Sequence, residues 1–157
     1  MVKTNAMRLL DAEKIKYRSE TYEYDENDLS GVTVAAKLSM PPEQLFKTLV
    51  TKGDKTGHMV FCIPVAEELD LKKAAECSKN KKIEMLHVKD LLPVTGYIRG
   101  GCSPIGMKKK FPTFIDETAQ LFDEIGVSAG VRGCQIIISP DDLVKYTEAA
   151  LKDLVAD

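Results

Sequence analysis

Apolar positions recur in short bursts along this chain, and their spacing changes from one burst to the next. Ala6, Leu9, Leu10 and Ile15 share one side of a helical wheel, with Thr4 or Asn5 placed to cap the first turn. Residues 17–24 mix Tyr and Thr with polar side chains, as a partly exposed strand does. Gly31 opens a short helix through Val32, Ala35, Ala36 and Leu38, which Pro41-Pro42 stops. Residues 46–51 read as a strand, 53–57 as a turn and 59–64 as the hairpin partner. Asp70 caps a helix carrying Leu71, Ala74 and Ala75. A short strand over 83–86 follows, then a short helix over 87–92 stopped by Pro93, then a strand over 97–99. Residues 113–115 and 136–139 are further strands. In the last segment Ser139 caps, Pro140 takes the first helical position, and Asp141 and Asp142 suit the positive end of the helix dipole. Leu143, Tyr146, Ala150, Leu151 and Leu154 then form one apolar stripe.

Strands and helices in irregular order predict an α+β or mixed α/β fold, with roughly six to seven strands in one mixed, curled or barrel-like sheet surrounded by helices. No repeat or linker interrupts the 157 residues, so one domain over 1–157 is expected. A chain of this length buries about two-thirds of its extended surface.

Composition narrows the classes. A hydrophobic fraction of 44% with 29% charged residues excludes disorder. No apolar run approaches the roughly 20 residues that span a bilayer. Met1-Val2-Lys3-Thr4-Asn5 leads into an amphipathic pattern with no apolar leader, so a cytoplasmic protein is expected. Cys62, Cys77, Cys102 and Cys134 form no CxxC, and His58 and His87 stand alone. Reduced thiols, no metal and no cofactor are the expectation. Lys plus Arg is 22 against 24 Asp plus Glu, a net charge of −2. That balance argues against a strong free-standing nucleic-acid binder, which needs a basic excess.

The familiar nucleophile systems are missing. There is no GxSxG, P-loop or GxGxxG, and His58 and His87 read as solvated or capping residues. Lys47 is the first oddity. It shares a strand face with Leu45 and Leu49, and Phe46, Thr48 and Val50 occupy the other. Either its stem snorkels from an edge, or the cation sits over a pocket for phosphate or carboxylate. The second feature is Gly100-Gly101-Cys102-Ser103-Pro104-Ile105-Gly106. Paired glycines let backbone approach a ligand and aim N–H groups at it, and Ser103-Pro104 fixes a turn. Cys102 has no cationic neighbour in sequence to activate it and reads as a packing residue. The third is Ser128-Ala129-Gly130-Val131-Arg132-Gly133, where Arg132 either binds an anion or joins a surface ion pair. Lys79-Asn80-Lys81-Lys82 and Lys108-Lys109-Lys110 read as solvated faces, the second placed to steer an anionic ligand. Tyr22 and Tyr24 are either core residues at a sheet edge or a stacking wall.

In this order, these pieces resemble the YbaK/EbsC family of aminoacyl-tRNA editing domains over nearly the whole chain. The markers begin with Thr21-Tyr22-Glu23, Gln44-Leu45-Phe46-Lys47-Thr48-Leu49 and Pro64-Val65, followed by Leu69-Asp70-Leu71-Lys72-Lys73. They continue with Thr95-Gly96-Tyr97, the Gly100–Gly106 stretch, Pro112-Thr113 with Ile115-Asp116, and Val127-Ser128-Ala129-Gly130 with Arg132-Gly133. The resemblance implies an α+β fold around a mixed sheet and no metal. It implies a monomer acting in trans on the acceptor end of misacylated tRNA, alongside prolyl-tRNA synthetase. The implied substrate is Cys-tRNA(Pro), with Cys-tRNA(Cys) beside it.

The resemblance makes Lys47 the essential lysine and puts Gly100 and Gly101 at the pocket, where their N–H groups are expected to stabilise the oxyanion. It puts Tyr22, Thr48, Ser103, Pro104 and Ser128 around the pocket, with Arg132 and Gln135 as further substrate contacts. Gln135 stands where related sequences often have an acid, so no acid role is carried over, and Ala129 stands where glycine is common. The implied chemistry is substrate-assisted: the cysteinyl thiol attacks its own ester and leaves as a thiolactone. The alternatives are a deacylase that uses water to clear another small amino acid such as Ala, and a non-catalytic module that binds tRNA or synthetase. With so little net charge, Lys47, Lys108, Lys109, Lys110 and Arg132 are expected to cluster at one mouth, leaving tRNA selection to the synthetase.

Overall fold

The computed structural model describes residues 3–157. Met1 and Val2, on which part of the leader reading rests, lie outside the described residues. The element order is α1 (Asn5–Ala12), β1 (Tyr17–Thr21), α2 (Gly31–Lys37), β2 (Phe46–Gly53), β3 (Gly57–Pro64), α3 (Leu71–Ser78) and β4 (Ile83–Met85). Then come α4 (Val88–Thr95), β5 (Thr113–Asp116), β6 (Ile125–Ser128), β7 (Cys134–Ile138), α5 (Pro140–Thr147) and β8 (Ala150–Lys152). The α+β class is as expected. The expected single sheet of six to seven strands is corrected: the described strands number eight and divide into two sheets, β1-β7-β6 and β4-β2-β3-β5-β8, because short segments such as β6 and β8 become strands only through distant partners. The first sheet is antiparallel throughout; the second is mixed, because β3–β5 and β5–β8 run parallel. A parallel bridge between Leu45 and Gly126 joins them, tightened by Gly126 N–H donating to the Gln44 carbonyl at 3.0 Å. No described helix is long and apolar enough to cross a membrane.

Local signals in the sequence account for several elements. The Thr4 hydroxyl caps α1 by accepting from Met7 N–H at 3.3 Å. The Asp70 carboxylate caps α3, accepting from Lys72 and Lys73 N–H at 2.9 and 3.0 Å. Along β3 the alternation is fully used. Val60 and Cys62 enter the main core with α1, β7 and α5, while Met59, Phe61 and Ile63 pack on Ala74 and Ala75 of α3. A third apolar cluster of Val34, Ala35, Leu45 and Val65 seats α2 against the end of the hairpin.

Four further expectations are corrected. Pro93 does not stop α4, which runs on to Thr95 before Gly96 ends it with a left-handed residue. A proline this near the C-terminus removes only one intrahelical bond, and the next N–H groups still find carbonyls. Residues 97–99 are not a strand: Gly101 N–H closes a turn on the Ile98 carbonyl at 2.9 Å. The final helix ends at Thr147, so Ala150 and Leu151 belong to a strand paired with β5. Ser139 makes no side-chain capping bond.

Buried Asp116 secures the C-terminal segment. Its carboxylate accepts from Leu154 N–H at 2.9 Å and from the Thr118 amide and hydroxyl at 3.2 and 2.5 Å. Asp116→Ala leaves those donors unmatched. It should cost about 1–3 kcal/mol in urea unfolding, with an unchanged m-value.

Candidate active site

A cavity of about 430 Å³ opens along the first half of β2. The reason is topological. β4 pairs only with Thr51, Lys52 and Gly53, and Leu86 N–H extends the pairing to the Val50 carbonyl at 3.0 Å, so the edge from Phe46 to Leu49 has no β4 residue beside it. The cavity occupies that gap. Leu86, Val88 and Leu91 close one side, α2 another, and Arg99, Gly100 and Cys102 a third. Ser128 and Gln135 reach it from the three-stranded sheet.

Lys47 is half-buried in this wall, and its ammonium forms no ion pair or hydrogen bond among the described residues. Burial lowers its pKa from the ordinary lysine value, and the charges of Glu68 and Glu67 act weakly in the other direction. Both glutamates are exposed. Lys47 and Arg99 are the charged residues in the lining, which has no Asp, Glu or His. Cys102 also lines it, but burial pushes its thiol up to about 12. A buried thiol of this kind is inert, so the cavity holds no activated nucleophile of its own.

Of the residues singled out from sequence, Tyr22, Lys47, Thr48, Gly100, Ser128 and Gln135 meet at this cavity. Arg132 lies behind it, its Nε donating to the Arg99 carbonyl at 2.9 Å beside Gly100. Four expectations change. Gly101 N–H is committed to the Ile98 carbonyl, so it is not a free oxyanion donor. Gly101 instead permits a close approach of two loops: a Cβ there would sit 3.1 Å from the Val131 carbonyl carbon and 3.2 Å from Arg132 N. The Gly100 N–H has no acceptor among the described residues. Ser103 is fully buried, and its hydroxyl accepts from Ile105 N–H at 3.2 Å, which makes it a turn-former. Pro104 lines a separate cavity with Lys109, Lys110 and Tyr146. The cations therefore do not gather at one mouth: Lys110 pairs with Glu148 at 2.7 Å, and Lys108 donates to the Pro93 carbonyl at 3.4 Å.

Tyr97 and Arg99 went unrecognised as site-builders. The Tyr97 hydroxyl donates to the Ile105 carbonyl, and burial pushes it up to about 12. Its ring packs within 3.0 Å of where a Cβ at Gly130 would lie, and its hydroxyl within 2.9 Å of the same point at Gly106. It thus clasps the two glycine-containing loops together. The Thr95-Gly96-Tyr97 step was the available signal, but it gives no hint of the long-range contact.

Comparison with known proteins bears on this arrangement. The aminoacyl-tRNA editing domain family is matched over residues 29–146. A protein of Enterococcus faecalis, EbsC, named as a candidate Cys-tRNA(Pro)/Cys-tRNA(Cys) deacylase, is 51% identical over 97% of this chain and 93% of its own. Among solved structures, a candidate trans-editing enzyme for prolyl tRNA synthetase superposes with a TM-score of 0.84 at 22% identity, covering 100% of both chains. A hypothetical protein superposes at 0.86 with 19% identity, over 95% of this chain and 97% of its own. At these identities the two structures establish the fold.

Proposed function

The chain belongs to the aminoacyl-tRNA editing domain family, and from that premise we propose that it is a trans-acting deacylase of cysteinyl-tRNA, Cys-tRNA(Pro) first and Cys-tRNA(Cys) beside it. One observation carries the mechanism. The cavity offers an unpaired cation and an unengaged backbone N–H, but no histidine or carboxylate to activate a nucleophile. Such a site can hold and polarise an ester; the attacking group has to come with the substrate. Cysteine brings one, because a thiol near pKa 8.5 is a few per cent thiolate at neutral pH and strongly nucleophilic.

In this reading the thiol loses its proton and the sulfur bonds to the ester carbonyl carbon. The carbon–oxygen bond to the terminal ribose breaks, and the ribose oxygen takes up a proton. The products are free-ended tRNA and a cysteine thiolactone, which water later opens to cysteine. Gly100 N–H meets the developing oxyanion. Lys47 anchors the acceptor-end phosphate or ribose, with Arg99 at the rim. Tyr22, Thr48, Ser128 and Gln135 surround the aminoacyl group. Arg132, Gly101, Ser103 and Pro104 act through the loop they shape.

Residues 1–157 work as one domain, as a cytoplasmic monomer that joins prolyl-tRNA synthetase and tRNA in a ternary complex. The synthetase supplies tRNA selection, which suits a net charge of −2 and cations that are scattered.

A deacylation panel of Cys-, Ala-, Ser- and Pro-tRNA(Pro) tests this reading, with Cys-tRNA(Pro) expected to be cleaved fastest. The lowered pKa of Lys47 favours one competing reading, in which that amine acts as a base on water. Comparable rates on Ala-tRNA(Pro) would select it. Absence of turnover on every ester would leave a binding module. Cys102→Ala separates a further case: losing a nucleophile costs on the order of 10⁴–10⁶-fold, whereas removal of a packing thiol should cost less than about tenfold in kcat/KM.

A further inference from the structure

Gln135 carries the buried side-chain atom without a hydrogen-bond partner among the described residues: its Oε1 receives no donor. The residue is 6% exposed and lines the cavity beside Ser128, its neighbour across the β6–β7 pairing. Buried carbonyl oxygens are almost always satisfied, so a cavity-lining amide whose oxygen is sealed in the wall without a donor is a polar group free to turn toward a ligand. A half-turn of the terminal amide exchanges its oxygen and nitrogen in space, so either atom can face the ligand. Donors already abound here, in Lys47, Arg99 and Gly100 N–H, and an acceptor is what the substrate nitrogen needs.

The charge around Gln135 is one-sided. The lining holds two cations and no carboxylate. Glu20 stands opposite Gln135 in the β1–β7 register, but it is half-exposed and ion-paired with Arg18. Glu67 and Glu68 lie in solvent. A substrate ammonium would meet two like charges and one neutral oxygen, which is an unfavourable place for an unpaired charge. An uncharged N–H avoids that repulsion and still satisfies the oxygen.

Resting on the deacylase reading above, we propose that the cavity takes the α-nitrogen of the aminoacyl ester uncharged, as an N–H donor to Gln135, and that the enzyme therefore also deacylates N-acylated cysteinyl-tRNA. The bonds made and broken are those already described: carbon–sulfur forms, carbon–oxygen to ribose breaks, and the thiol proton is balanced by the one gained at the ribose oxygen. The N-acyl group takes no part. A formyl group adds one carbon and one oxygen, and its amide keeps the N–H that Gln135 needs.

The test compares N-formylcysteinyl-tRNA(Pro) with cysteinyl-tRNA(Pro), each rate divided by its spontaneous rate in the same buffer. The full chain, Gln135→Glu and Gln135→Met are measured. The native enhancements for the two esters should agree within about tenfold. Gln135→Glu places an anion at the nitrogen and should shift the ratio at least about tenfold toward the free amine. Gln135→Met removes the acceptor without adding charge and should lower the N-formyl enhancement about tenfold, which decides the matter if the charged variant does not fold. A native N-formyl enhancement more than about tenfold below that of the free amine overturns the proposal, as does an undiminished one in Gln135→Met. Turnover of cysteinyl-tRNA(Pro) alone overturns only this inference. Turnover of neither ester removes the deacylase reading as well.

Discussion

Seryl-tRNA(Pro) should be cleaved at least about a hundredfold more slowly than cysteinyl-tRNA(Pro), a barrier difference of about 2.7 kcal/mol. The two substrates differ by one atom, sulfur for oxygen, so the cavity accepts both. A whole methylene is worth about 1–3 kcal/mol in a pocket, and sulfur for oxygen is a smaller change, so shape alone should separate the two by no more than about 1 kcal/mol. The difference predicted here comes from chemistry. A hydroxyl is essentially un-ionised at neutral pH, and the cavity has no histidine or carboxylate to take its proton. Matched single-turnover rates on the two esters provide the measurement. Equal rates would rule out attack by the substrate's own side chain and move the reaction to water activated by Lys47.

The second large effect falls on Lys47 itself. Lys47→Met should lower kcat/KM by about 10²–10³-fold, the scale on which a preorganised transition-state contact is lost. Lys47→Arg should not restore it, because a broad planar guanidinium does not replace a compact ammonium point charge. Stability should go the other way. Burial depresses the Lys47 pKa, so the folded state holds this proton less tightly than the unfolded chain. Below the depressed pKa, the folded protein bears the cost of the desolvated cation; that cost fades as pH rises toward the ordinary lysine value of about 10.4. At neutral pH, Lys47→Met should therefore melt no lower than the native protein. Thermal melts beside the kinetics make the distinction. A variant that is both inactive and unstable would show Lys47 to be a structural residue.

The parts of this fold that could be read from the sequence are those decided within a few residues. The β2–β3 hairpin follows from two apolar runs around a glycine-bounded turn. α3 follows from Asp70, and the start of α5 from Pro140 with its acidic first turn. Lys47 stood out because both faces of its strand were apolar, and the structure shows why: that strand half has an unpaired edge. The parts decided by distant partners were not legible. Ile125–Ser128 is four residues with a glycine inside, and it becomes a strand only because β7 pairs with it. Ala150–Lys152 fits a continued helical stripe just as well until β5 recruits it. At the site, the glycine pair was recognised but its division of labour was not. Which N–H remains free depends on the turn to Ile98. The orphaned oxygen of Gln135 could not have been foreseen, since it depends on which side chains distant strands bring beside it.

The bridge between Leu45 and Gly126 has an evolutionary consequence. Lys47 belongs to one sheet and Gln135 with Ser128 to the other, so the width of the cavity depends on how closely the sheets approach at that bridge. A Cβ at residue 126 would lie 2.7 Å from Leu45 Cδ1, too close to be accommodated in place. Enlarging residue 126 would therefore press on Leu45, which lines the cavity, and shift one wall against the other without altering Lys47, Ser128 or Gln135. Amino-acid preference in a lineage with this architecture can then drift through substitutions at the joint, while every residue at the chemistry stays the same.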